Sequence, residues 1–216
     1  MCCRFWVDQE VDEELEGMNI GFPPGNRGTR HDIRPSDSAW IIGRRTGSRG
    51  LSVSVSRWGF LTRDQKLMIN ARAESVFDRK MFREGVLHHR IAVPAAGFYE
   101  WNAEKEKNRF QSPGGILFMA GIADYSGGTG AGSGLDSDSD SGANSGAGGI
   151  VGAGRFVIIT TAANASMKPV HDRMPLILEK DQLDDWILDD SMTERLLRQV
   201  PVSLSRYSDY EQMSLF

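Results

Sequence analysis

The chain has 216 residues, a formal net charge of −4 and two cysteines, a length that suits one domain with a buried core. It has no apolar run of about 18 residues and no signal-peptide pattern, so the expectation is a soluble, cytoplasmic protein with no membrane partner. The two cysteines are adjacent, which excludes a disulfide framework. Net acidity argues against nucleic acid, but the charge is uneven: residues 27–110 carry 17 Lys or Arg against nine acids, while both flanks are acidic. Thirteen of those 17 are Arg, the better fork for phosphate oxygens, so the centre is a candidate phosphate-backbone footprint.

In chain order, acidic residues 8–17 predict a short helix, and the Gly, Asn and Pro content of 21–37 predicts a loop. Ala39–Gly43 and Leu51–Trp58 read as strands, the second from the period-two alternation of SVSVSRW. Asn70–Arg83 has helical spacing. Arg90–Ala95, Gly97–Trp101, Arg109–Ser112 and Ile116–Tyr125 are strand candidates. Residues 126–154 hold eleven glycines and a DSDSDS repeat, a composition that cannot bury enough apolar surface to order itself. The apolar stretches 116–125 and 155–161 then form a hairpin with that insert at its tip. Pro175–Leu178 reads as a strand, and Glu179–Leu188 and Met192–Val200 as amphipathic helices. Strands and helices without a βαβ rhythm predict an α+β fold with a curled, barrel-like, mainly antiparallel sheet and flanking helices.

Removal of Met1 leaves an α-amine and a thiol together on Cys2, a pair no internal cysteine offers. With an aldehyde, the amine forms an imine and the thiol closes a five-membered thiazolidine; both groups titrate near neutrality. In AAGFYEW (95–101) strand alternation puts Phe98 and Glu100 on one face and Tyr99 and Trp101 on the other. A carboxylate among aromatics is either ion-paired or a candidate acid/base group. His171, followed by Asp172 and Arg173, is either a satisfied structural histidine or a second such group. The adjacent pairs Cys2-Cys3 and His88-His89 lack the spacers of a zinc site.

MCCRF at the start, NARAE (70–74), GFYEW (97–101) and HDRMP (171–175) occur in that order. Together they resemble the SOS response-associated peptidase (SRAP) family, which shields abasic sites in single-stranded DNA and whose pattern is MCGRF, N-A-R-x-E, G-[FW]-[FY]-E-W and H-x-R-x-P. The resemblance spans 1–211 apart from the insert and implies a covalent thiazolidine DNA–protein crosslink through Cys2. It implies that Glu100 and His171 move protons, that Asn70 holds the sugar and the N-terminal residue, and that Arg4, Arg72 and Arg173 contact phosphate. Trp58 matches a tryptophan beside the DNA channel, where an aromatic can stack on a base. Pro35 and Thr160 are carried over as DNA contacts, Pro35 being what remains of a Y-N-x-A-P segment. The resemblance further implies lyase and self-processing peptidase activity, no metal or other cofactor, and work at bacterial nucleoid DNA; one Cys2 suffices per lesion, so a monomer is expected. Two departures stand out: Cys3 replaces the family glycine, and the segment after Trp58 is short, without the usual second tryptophan. Two other readings of Cys2 remain, an N-terminal-nucleophile amidohydrolase and a DNA-binding module without catalysis.

The last five residues, QMSLF (212–216), resemble the bacterial sliding-clamp-binding pentapeptide Q-L-[SD]-L-F. Leu215 and Phe216 would fill an apolar cleft, with Met213 beside them and Gln212 hydrogen-bonding at the rim. The expected partners are therefore single-stranded DNA containing abasic sites and the replication sliding clamp.

Overall fold

Alternation and β-branched runs account for most of the sheet. The computed structural model describes residues 2–20, 31–45, 47, 50–125 and 154–208. Within them the order begins β1 (Phe5–Val7), α1 (Gln9–Gly17), β2 (His31–Ile33), β3 (Ser38–Arg44), β4 (Leu51–Trp58), β5 (Phe60–Leu61), β6 (Leu67–Met68) and β7 (Asn70–Arg72). Then come α2 (Lys80–His88), β8 (Arg90–Ala95), β9 (Gly97–Trp101), β10 (Lys107–Gln111), β11 (Leu117–Asp124) and β12 (Arg155–Ala162). The last are β13 (Arg173–Pro175), β14 (Ile177–Leu178), α3 (Leu183–Leu188), α4 (Thr193–Leu197) and β15 (Ser205–Ser208).

The fold is α+β, as expected. One sheet has the order β15-β10-β9-β1-β2; the larger runs β13-β12-β4-β3-β8-β11-β14, with β7 also on β12. An additional β11–β12 pairing closes β12-β4-β3-β8-β11 into a ring, the curled sheet foreseen from the sequence. Pairing in both sheets is antiparallel except where β12 lies parallel to β4 and to β7. The expected hairpin is present, with Gly121 opposite Ile158 and Asp124 opposite Arg155. Of the 126–154 insert only Gly154 is described: its carbonyl accepts from Ser56 Oγ at 2.6 Å and from the Arg57 N–H at 3.1 Å, so it belongs to the sheet. The proposed clamp peptide lies outside the described residues, as does Met1.

Three expectations are corrected. Asn70–Arg83 is not a helix: Asn70–Arg72 pairs with Ile158–Thr160, a 3-10 turn spans Ala73–Ser75, and the helix starts at Lys80. Parallel pairing buries Ala71 and overrides the local helical spacing. The predicted loop 21–37 contains β2, which borders β1. Pro175–Leu178 is interrupted at Leu176, because β13 pairs with β12 and β14 with β11. Among the described residues no helix is long and apolar enough to cross a membrane.

The fold has one main consequence for chemistry. Strand β1 is held between β9 and β2, with Phe5 opposite Phe98 and Ile33. The Ala96 and Tyr99 N–H groups donate to the carbonyls of Trp6 and Arg4, both at 2.9 Å. The start of the chain is thus tied to the strand that carries Glu100.

Candidate functional site

Cys2 is fully buried just ahead of β1. Its carbonyl accepts from Asn70 Nδ2 at 2.9 Å, across 68 positions of sequence. Asn70 opens β7, and its other amide atom, Oδ1, is buried with no hydrogen-bond partner among the described residues. Burial pushes the Cys2 thiol well above the ordinary thiol range, and the nearby Glu100 carboxylate adds to the shift. Cys3, half-buried, is raised by the same two causes in the same order. Both are free thiols. Glu100 is 4% exposed, and its Oε1 accepts from the Trp101 N–H at 3.3 Å. It faces inward with Phe98, as the alternation predicts, while its strand neighbour Tyr99 points the other way.

A second group is assembled by β12. Its register sets Thr160 beside Arg72 on one side and beside Pro175 on the other. Thr160 is fully buried and its hydroxyl donates to the Ala71 carbonyl at 3.4 Å. Arg173 is not open for phosphate: its two terminal nitrogens grip Glu74 Oε1 and Oε2 at 2.6 and 2.9 Å, and Nη2 also donates to the Thr160 carbonyl at 2.6 Å. The Arg173 guanidinium holds the Glu74 carboxyl below the usual carboxylate range. Arg72 is exposed. His171, two residues before Arg173, accepts the Arg173 backbone N–H at Nδ1, 2.9 Å away. The same nitrogen lies 2.8 Å from Asp172 Oδ1. One nitrogen cannot accept from an amide and donate to a carboxylate at once. The first contact suits the neutral ring with its proton on Nε2, and the second suits a ring with a proton on Nδ1, either the other neutral tautomer or the imidazolium.

Arg4 is ion-paired with Asp32 and lies over the Tyr99 ring, 5.2 Å from its centroid; Tyr99 donates from its hydroxyl to the other Asp32 oxygen at 3.2 Å. Pro35 and Ser36 form the centre of a turn in which the Asp37 N–H reaches the Arg34 carbonyl at 2.9 Å. Ser36 has φ +76°, the type II geometry that favours proline before it. Trp58 requires a correction. It is fully buried between Phe5 and Phe156, and its Nε1 donates to the Ile69 carbonyl at 2.9 Å. It offers no face to a base and instead supports the chain entering Asn70.

The structure thus brings Cys2, Asn70 and Glu100 together, and Arg72, Thr160 and Arg173 together on the strands beside them. Asp32 and Glu74, the acids that hold Arg4 and Arg173, were not among the predicted site residues. Their signal was weak but present: Glu74 is the last residue of NARAE and Asp32 lies three residues before Pro35. Among the described residues, no group of three or more His, Cys, Asp or Glu could hold a metal ion.

A thiol at the start of the chain thus lies by a buried carboxylate on β9 and a buried amide on β7. The family model for SOS response associated peptidase matches residues 1–213, and the chain belongs to that family. Among curated relatives it is 30% identical over 202 residues to the abasic site processing protein YoaM of Bacillus subtilis (strain 168), covering 87% of this chain and 79% of that one. It is 26% identical over 199 residues to the abasic site processing protein YedK of Escherichia coli (strain K12), covering 87% and 79%. Among solved structures, a Bacteroides thetaiotaomicron protein superposes with TM-score 0.70 at 20% identity, covering 96% of this chain and 91% of that one. A phage-related protein of Bordetella bronchiseptica gives 0.69 at 23%, covering 96% and 93%. These last two likenesses speak to the fold.

Proposed function

We propose that this protein processes abasic sites in single-stranded DNA by forming a covalent crosslink through Cys2 once Met1 has been removed. The observation that carries the reading is the anchoring of Cys2 by Asn70 at 2.9 Å within the field of the buried Glu100 carboxylate. The freed α-amine attacks C1′ of the open-chain aldehyde, and loss of water gives an imine. The thiol then adds across the C=N bond, sulfur to C1′ and proton to nitrogen, closing the thiazolidine. A thiol raised by burial reacts as S–H, so a base is needed at the moment of attack; Glu100 takes that proton and passes it to the ring nitrogen. His171 gives a proton to the ring oxygen as the C1′–O4′ bond breaks, and the C1′ hydroxyl gives up its proton as the carbonyl forms, so the sugar opens with no net change in protons. Asn70 Oδ1 accepts from the Cys2 amine or from a sugar hydroxyl. Arg72, exposed beside this group, takes a flanking phosphate. Pro35 shapes the turn alongside Trp58, and both act as supports for the DNA groove. The same groups account for a lyase activity through the imine, and release of Met1 makes the protein its own peptidase substrate. The proposed organisation is one SRAP domain over 1–211, acting as a monomer because one Cys2 suffices per lesion.

The test is incubation of the protein lacking Met1 with single-stranded DNA that holds one abasic site, read as a heat-stable shifted species on a denaturing gel. Cys2→Ala should abolish that species and Cys3→Ala should retain it. Cys2→Ser should lose the stable adduct yet keep imine-dependent strand cleavage. Release of ammonia from small amides with no reaction at DNA would establish an amidohydrolase instead. The tail is a separate proposal: removing residues 212–216 should abolish binding to a bacterial sliding clamp and leave crosslinking in solution intact.

A further inference from the structure

The turn that follows Asn70 opens onto a recess. After β7 the chain makes the 3-10 turn Ala73–Ser75, and Ala73 and Glu74 share with α4 and its C-terminal end a cavity of about 510 Å³. Its apolar surface comes from Ala73, Phe77 and Leu197. Ala73 and Leu197 are buried, whereas Phe77 packs on the core and stays partly exposed. Its charged groups come as pairs: Arg173 closes on Glu74 at 2.6 and 2.9 Å, and Arg198 Nη2 donates to Glu194 Oε2 at 2.9 Å. Each carboxylate is matched by a guanidinium, so the recess suits a flat, uncharged group with hydrogen-bonding edges better than it suits a phosphate. An ionised carboxylate has about four acceptor sites, and Glu194 therefore keeps capacity for a further donor.

The recess adjoins the crosslinking group. Ala73 directly follows Arg72, the exposed arginine, and Thr161 of β12 lines the cavity one residue on from Thr160, which lies beside Arg72. From Asn70, the anchor of Cys2, to Ala73 is at most about 10 Å of chain. That distance is too long for the sugar bonded to Cys2 and suits a nucleotide next to it. We propose that this recess receives the base of a nucleotide adjoining the lesion, stacked on Phe77 and donating its exocyclic amino group to Glu194. Thymine lacks that group and is held less well. This rests on the abasic-site reading above and adds to it a preference for the sequence around the lesion.

Binding is measured with the full chain and single-stranded oligonucleotides that carry a tetrahydrofuran in place of the abasic sugar. That analogue has no aldehyde, so affinity is read without crosslinking. The nucleotides immediately before and after it are changed in turn to cytosine, thymine or a second baseless residue. At one of the two positions, loss of the base should weaken binding by about fivefold or more, the lower end of what stacking on an aromatic contributes. Thymine should fall between cytosine and the baseless residue. Phe77→Leu keeps an apolar filler without an aromatic face; it should weaken binding of the cytosine DNA and leave that of the baseless DNA unchanged. Glu194→Ala, at a side chain 68% exposed, leaves the fold intact and should bring cytosine and thymine DNA to one affinity. Equal affinity for every DNA at both positions overturns the proposal. So does a loss in Phe77→Leu that is the same with and without the base, or a cytosine preference that survives Glu194→Ala. Base-dependent binding with no adduct at a true abasic site would sink the crosslinking reading alone, and no affinity for any of these DNAs would sink both.

Discussion

Two side chains show how burial sets chemistry at the scale of single residues. Folding raises the Cys2 thiol, so the stability that it contributes is present below the ordinary thiol range and is lost as pH rises above it. Thermal unfolding between about pH 7 and 10 should therefore show an alkaline decline that Cys2→Ala flattens. Alkylation at about pH 8, followed by peptide mass spectrometry, should mark half-buried Cys3 before fully buried Cys2. Arg90 is the opposite case, a buried charge that never needs to move. It is 4% exposed and donates to the carbonyls of Trp186, Val86 and Leu87 at 2.6, 2.8 and 3.0 Å, with Asp190 at 2.5 Å. It joins the end of α2 to the end of α3. Arg90→Leu would strand three carbonyls and should cost about 3 kcal/mol or more by denaturant titration. Asp190→Asn, at a side chain 78% exposed, should cost under about 1 kcal/mol.

At the scale of elements, the seating of β1 depends on one glycine. A Cβ on Gly97 would come within 2.2 Å of the Trp6 ring and 2.5 Å of the Phe110 carbonyl. Gly97→Ala should destabilise the protein by about 1–3 kcal/mol. Amide hydrogen exchange should place the loss in β1 and β9 first, and crosslinking should fall with it. The strands were legible where their pattern is local: Arg90–Ala95 and Gly97–Trp101 keep their expected limits. In Leu51–Trp58 the alternation was right, but its chemistry misleads. Ser52, Ser54 and Ser56 are all buried while Val55 is 43% exposed, because these serines face Gly43, Ile41 and Ala39 across the pair with β3. Asn70–Arg72 was not legible at all, since only its distant partner Ile158–Thr160 makes it a strand.

For the molecule as a whole, the hairpin of β11 and β12 is complete without its insert, since Asp124 and Arg155 are directly opposed. Replacing residues 126–153 by a four-residue turn should leave the unfolding free energy within about 2 kcal/mol, as loop closure varies slowly with length. Crosslinking should persist. Four short motifs in order singled out Cys2, Asn70 and Glu100, which are far apart in sequence and which the fold brings together. What the sequence hid was the pairing of charges: Asp32 lies 28 positions from Arg4 and Glu74 99 positions from Arg173. A stretch rich in arginine suggested a phosphate footprint, yet two of the three arginines expected to grip DNA are already occupied by carboxylates. Local composition reports how many charges there are, and only the fold decides which are spent internally.

The position of β1 also bears on the protein's synthesis. Its partner β9 is made some 90 residues later, so at about 5–20 residues per second the leading end emerges from the ribosome and waits unseated for roughly 5–20 s. Once β9 arrives, the side chain of Cys2 is buried. A housekeeping aminopeptidase would act most readily in that interval, whereas the self-processing proposed above needs the seated site. Slowing translation between codons 10 and 95 should therefore leave the fraction of molecules born active unchanged.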